Sequence, residues 1–198
     1  MDFETFMTAV PIYDGTRPYQ QIPFQFSVHV LERPGAKPGH HQFLAKGGGD
    51  PRPEFLAALK DTIGPEGTIL VYYEAFEKAR LKELADAFPE YKKWVSDINP
   101  RIEDLLTPFR DFSYYHPLQA GSASLKKVMP ALTGISYDEL EIGHGDIASL
   151  RYMQMAFDET TAEEKRKIRR DLLKYCKQDT GGMVSIVEEL DKESRRLL

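Results

Sequence analysis

The chain has 198 residues, 41% hydrophobic and 29% charged, with a net charge of −5. That is length enough for one domain with a sizeable core, and the composition is that of an ordinary globular protein. The acidic balance argues against a broad basic face that coats duplex nucleic acid, but not against an enzyme that grips one strand end.

No apolar run approaches the roughly 20 residues of a membrane helix. Asp2 and Glu4 stand where a secretory leader would carry its basic region. Cys176 is the only cysteine and has no partner for an intrachain disulfide. A cytoplasmic location is the expectation.

In chain order, MDFETF at 1–6 reads as the end of a strand. A buried first strand ordinarily carries several apolar residues ahead of its functional end, and here only Met1 precedes Asp2. A piece of a longer protein is therefore expected, with an N-terminal domain of the same parent chain as its neighbour. IPFQFSVHVL at 22–31 has apolar residues at alternate positions, which predicts a strand with one buried face. PGAKPG at 34–39 reads as a turn, and 40–45 as the returning strand of a hairpin. Gly47-Gly48-Gly49 reads as a mobile loop; no Gly-Lys-Ser/Thr follows, so it is no phosphate-binding P-loop.

Asp50-Pro51 predicts an N-cap followed by Pro at the first helical position, opening a helix to about 63. GPEGT at 64–68 breaks it, and ILVYY at 69–73 reads as a buried strand. A helix over 74–88 carries a rough stripe of Phe76, Ala79, Leu81, Leu84 and Ala85, and Pro89 ends it. Residues 101–106 read as a short strand ending at Asp104, 122–132 as a helix with a serine cap, and 145–157 as a further helix. Thr161-Ala-Glu-Glu164 is a capping box for a long basic helix that runs past Asp179, with a bend expected at Gly181-Gly182. The order of elements predicts a single α/β domain with a mixed sheet of about five strands flanked by helices.

Side chains alternate faces along a strand, so Asp2 and Glu4 point the same way. Adjacent carboxylates repel unless a cation lies between them, and their hard oxygens suit Mg²⁺ or Mn²⁺. Asp-x-Glu alone is a weak motif that surface strands also carry by chance. Tyr175 and Asp179 are four residues apart, hence on one face of the late helix. Glu77 follows Phe76 just after the 69–73 strand, near the working edge of a sheet. A first-turn acid that favours the helix N-terminus is the equally ordinary reading of Glu77.

Asp-x-Glu on a first strand, Phe-acid after a middle strand and Tyr-x-x-x-Asp on a late helix resemble, in that order, the DEDD (DnaQ-like) 3′→5′ exonuclease superfamily. The likeness is narrower to its tyrosine variant, whose fold is ribonuclease-H-like. The stretches IPFQFSVH, DPRPEF, YYEAFEK, GSASLKKVMPAL and YCKQDT are also similar to an uncharacterised prokaryotic family of predicted nuclease domains, often C-terminal to a Cas4-like region. The resemblance implies two bound Mg²⁺ or Mn²⁺ ions held by Asp2, Glu4 and Asp179, with Asp2 bridging. It implies Glu77 as the second-motif carboxylate and Tyr175 positioning the attacking water. It further implies substrate contacts from Phe6, Tyr73 and Lys126 and a single-stranded nucleic acid 3′ end as substrate. This sequence departs from the pattern in having Glu77 where Asp is usual, and Tyr73 or Glu74 where Asn is usual.

Other residues leave two readings each. Asp104 is a helix cap or a further carboxylate of the site. Lys126 and Lys127 lie on a solvated helix face or at a phosphate-binding helix start. Lys165, Arg166, Lys167, Arg169 and Arg170 form a solvated face or a steering patch. Tyr114, Tyr115 and His116 are core residues or base-stacking ones. His40, His41 and His144 lack the spacing of a zinc site, and Cys176 reads as a small buried residue. The function predicted is a metal-dependent 3′→5′ exonuclease. The alternatives are a degenerate ribonuclease-H-like module that binds nucleic acid or a protein partner, and a hydrolase of small phosphodiesters.

Overall fold

The computed structural model describes residues 1–197. Strands β1 (Asp2–Phe6), β2 (Ile22–Val30) and β3 (Gly39–Leu44) form an antiparallel sheet in the order β1-β2-β3. Helix α1 (Arg52–Thr62) leads to β4 (Ile69–Val71), then to α2 (Glu74–Ala87), α3 (Lys92–Ile98) and β5 (Ile102–Asp104). Strands β4 and β5 pair in parallel as a second sheet. Short helix α4 (Thr107–Arg110) and helices α5 (Leu125–Thr133), α6 (Gly145–Phe157) and α7 (Ala162–Leu197) complete the described chain.

The strands thus lie in two sheets rather than the one expected. Among the described residues one backbone bond spans them, from the Met1 amino group to the Leu70 carbonyl at 2.8 Å. Strand β4 has three residues, all of which pair with β5.

Strand β2 also differs from the single buried face expected of it, being buried throughout Ile22–Val28. The β1–β2 register shifts between Glu4 and Thr5: Glu4 pairs with Gln25, but Thr5 pairs with Pro23. The extra β2 residue is a bulge, and a bulge moves the side-chain series to the other face. Phe26 and Val28 accordingly join the core on one side, with Phe3, Phe55, Leu59, Val71 and Leu81. Ile22 and Phe24 join the core on the other, with Phe6, Tyr152 and Leu172. On this second face the polar residues Asp2, Glu4, Gln25 and Ser27 occupy one end of the sheet and apolar ones the other.

Helix α1 starts one residue later than expected, with Pro51 at its N-cap, and the Asp50 carboxylate accepts the Arg52 N–H at 3.0 Å. Thr161 accepts the Glu164 N–H at 3.1 Å, so the predicted capping residue starts α7. Helix α7 runs unbroken through Gly181 and Gly182, as one helix over Ala162–Leu197. Gly182 serves close packing: a Cβ there would lie 1.8 Å from the Met129 sulfur of α5. Among the described residues no helix is long and apolar enough to cross a membrane.

Candidate metal centre

Asp2 pairs with Ser27 and Glu4 with Gln25 across the β1–β2 ladder, so all four share one face. Helix α7 crosses that face and is docked there by polar bonds, two of them from β2. The Gln25 amide donates to the Leu172 carbonyl at 2.9 Å, and the Ser27 and Thr180 hydroxyls lie 2.6 Å apart. This docking sets Tyr175, Cys176 and Asp179 over Asp2 and Glu4. The Cys176 thiol donates to Asp2 Oδ2 at 3.5 Å, and one ligand atom each from Asp2, Glu4 and Cys176 lies within 4.8 Å of the others. Asp179 Oδ1 accepts the hydroxyl of Tyr137. Glu77, from the first turn of α2, is 2% exposed, and its Oε2 has no hydrogen-bond partner.

Burial dominates the electrostatics, because it disfavours the charged form of each acid. It pushes Asp2 up to about 6, against the opposing pull of the Met1 ammonium, the Cys176 thiol and Lys126. Asp179 is pushed up to about 8 by burial and by Asp2, with the Tyr137 hydroxyl and Lys126 opposing. Glu77 is pushed up to about 9, by burial and again by Asp2. Glu4 rises well above the usual carboxylate range through burial and its neighbours Asp2 and Asp179. Lys126 and the Met1 ammonium are the cations that face these four carboxylates, and burial lowers the pKa of both. Uncompensated buried charge costs several kcal/mol. Such a cluster is at rest either protonated or with added positive charge in its midst.

The structure places Asp2, Glu4, Glu77, Tyr175 and Asp179 near one another. Lys126 is half-buried beside them, its Nζ 5.2 Å from the Tyr175 ring centre and 3.4 Å from His144 Nδ1. Phe6, expected to touch substrate, does not: it is 1% exposed and packs on Phe24, Tyr152, Tyr13 and Phe157. It shares the face of Asp2 and Glu4, but lies at the apolar end, where α6 covers it. Tyr73 is exposed in the left-handed region at φ 81°, and its N–H donates to Asp104 Oδ1 at 2.8 Å. Asp104 also accepts the Leu106 N–H at 3.0 Å, so its carboxylate is committed to holding the chain between β5 and α4.

The basic run at the start of α7 is largely paired within the molecule. Lys167 and Arg170 bridge Asp171, and Arg169 donates to the Leu44 carbonyl. Tyr114 packs on Phe109, and the His116 ring accepts the Leu118 N–H, while Tyr115 is exposed. A cavity of about 990 Å³ opens beyond Met1, between the end of β2, the start of β4 and α7; none of the four acids lines it.

Sequence reasoning missed Tyr137 and the start of α6. Tyr137 lies 42 residues from Asp179 in a segment without periodicity, so nothing local signalled it. Gly145 approaches Glu4: a Cβ there would lie 3.5 Å from Oε2. This sets the positive end of the α6 dipole beside that acid. Cys176 is buried as expected, but its place three residues before Asp179 could have flagged it as a neighbour of the acids.

Residues 1–124 match the family described as "Domain of unknown function (DUF2779)". A protein of Ureaplasma parvum, described as uncharacterised, is 27% identical over 207 residues, which cover 93% of this chain and 30% of that one. Uncharacterised proteins of Mycoplasma pneumoniae and Mycoplasma genitalium are 27% and 26% identical, covering 31% of their own length. The chain therefore spans less than a third of the curated relatives it matches. No solved structure matches it. With the family's matched residues taking in more than half of its length, the chain belongs to the DUF2779 family.

Proposed function

We propose that the chain is a ribonuclease-H-like, metal-dependent nuclease domain that hydrolyses single-stranded nucleic acid from its 3′ end. One observation carries the reading. The carboxyl of Glu77 is buried with an unpartnered oxygen beside Asp2, in a cluster where β1, α2 and α7 each contribute an acid. Buried polar atoms ordinarily have partners, and a cation would supply one.

The donor set fits Mg²⁺ or Mn²⁺. The carboxylates of Asp2, Glu4 and Asp179, with Glu77, are hard ligands. Burial and the neighbouring acids raise the pKa of Cys176, and its single sulfur is outnumbered by the hard oxygens. Bound there, the ions would activate a water at neutral pH and stabilise charge on the leaving oxygen. Tyr175 stays protonated, since burial and the acids raise its pKa far above neutrality, and its hydroxyl orients that water. Lys126 offers its ammonium to the phosphate. The Met1–Leu70 bond brings β4 near β1 although the two belong to separate sheets, and this proximity supports the ribonuclease-H-like reading.

The test is cleavage of 5′-labelled and 3′-labelled DNA and RNA single strands by this chain and by a full-length relative. Shortening from the 3′ end in Mn²⁺ is expected, abolished by EDTA and by Asp2→Asn or Asp179→Asn. Strand binding without cleavage by the full-length protein would favour a binding module instead.

A further inference from the structure

Tyr137 is absent from the resemblance that points to Asp2, Glu4 and Asp179, yet it touches two parts of the site at once. Its hydroxyl donates to Asp179 Oδ1. Its ring faces the ammonium of Lys126, with Nζ 5.4 Å from the ring centre. The Tyr175 ring faces the same ammonium at 5.2 Å, and the two rings are 6.2 Å apart. Lys126 thus sits between two aromatic faces, which attract a cation through their electron-rich centres.

Lys126 forms no ion pair with the acids among the described residues, although Asp179 and Glu4 attract it. Its hydrogen-bond neighbour is His144 Nδ1, and an ammonium has three donors. Donors are therefore left for an anion arriving from outside. The segment bearing Tyr137 is itself anchored: Gln178, next to Asp179 on α7, donates to the Ser136 carbonyl at 2.8 Å. The Tyr72 hydroxyl holds the Ala123 carbonyl at 2.5 Å, just ahead of α5, which carries Lys126.

Resting on the metal-dependent reading, we propose that Tyr137 is a positioning residue that serves two functions through two parts of one side chain. The hydroxyl fixes Asp179 as a metal ligand, and the ring holds Lys126 where a backbone phosphate of the strand binds. The two parts are separable by substitution. Tyr137→Phe keeps the ring and removes the hydroxyl, whereas Tyr137→Leu removes both. Partners that orient a metal ligand are typically worth 10- to 100-fold in affinity. Tyr137→Phe should therefore weaken Mn²⁺ binding roughly 10- to 100-fold, read by titration calorimetry. In Ca²⁺ at a concentration that saturates each variant, Tyr137→Phe should bind a fluorescent single strand as the wild type does. Tyr137→Leu should bind the strand roughly two- to fivefold more weakly, and Lys126→Ala should weaken it and flatten its salt dependence.

Wild-type Mn²⁺ affinity in Tyr137→Phe, or wild-type strand affinity in folded Tyr137→Leu, would overturn the assignment. Thermal melts check folding, and Tyr137→Met replaces the leucine variant if that one is unfolded. Absence of Mn²⁺ binding in the wild type is a different outcome: it removes the metal reading itself, and this coupling with it.

Discussion

At His29, burial and neighbouring charge act in the same direction. Burial, His40, Lys177 and the Met1 ammonium all favour the neutral imidazole and lower its pKa to about 4. Its Nδ1 lies 2.8 Å from the Thr180 hydroxyl, next to Asp179 on α7. Because the folded pKa lies below the ordinary 6.5, the unfolded chain binds the proton more readily. The stabilising contribution is then whole above pH 6.5 and is lost as pH falls toward 4. Urea melts of wild type and His29→Gln between pH 7 and 4 should show a steeper loss in the wild type. Parallel pH profiles would refute this account. The sequence places His29 among apolar neighbours and leaves its environment open, because the groups that set its charge come from β3, α7 and the N-terminus. The pairing of Asp2 with Glu4 is by contrast legible directly, since alternation on a strand needs no distant contact.

At the scale of elements, the boundaries of most helices were legible because caps and breakers are local. Asp50, Pro89 and Thr161 all act where their chemistry predicts. The Gly-rich loop was not legible in this way. Gly47 has φ 88°, and a Cβ there would lie 2.7 Å from the Ala156 Cα of α6, whereas Gly48 at φ 83° faces open space. Gly47 is thus where the chain after β3 passes against a helix, not just part of a free loop. Gly48→Ala should cost about 1–2 kcal/mol, for the left-handed backbone alone. Gly47→Ala should cost about 1–3 kcal/mol more, since a backbone atom of α6 has to move. Equal losses in equilibrium unfolding would show that the close approach does not matter. The bulge in β2 was hidden for a similar reason. Strict alternation of Ile22, Phe24, Phe26 and Val28 reads as one face, and only pairing with the shorter β1 shifts it.

Across the whole molecule, the acids join three separate elements, β1, α2 and α7, so a cation among them would tie the fold together. Mn²⁺ should therefore raise the melting temperature, with a stabilisation of about 2.7 kcal/mol at a hundredfold excess over Kd. Glu77→Gln separates the metal's effect from ordinary packing. With its pKa near 9, Glu77 is protonated at pH 7 without metal, and an amide has nearly the same shape and charge. The variant should stay folded in EDTA and gain much less from Mn²⁺ than the wild type gains. A full Mn²⁺ gain in the variant would remove Glu77 from the site.

The sequence by itself determined the α/β class, the hairpin, most helix starts and the candidate acids, because periodicity, caps and turn residues act over a few neighbours. Only the tertiary structure decided how the strands divide between two sheets and that Phe6 belongs to the core. It alone brought Tyr137 to Asp179 and left Glu77 buried without a partner. Each of these rests on contacts between residues far apart in the chain, where burial and charge depend on what packs above a side chain rather than on what precedes it.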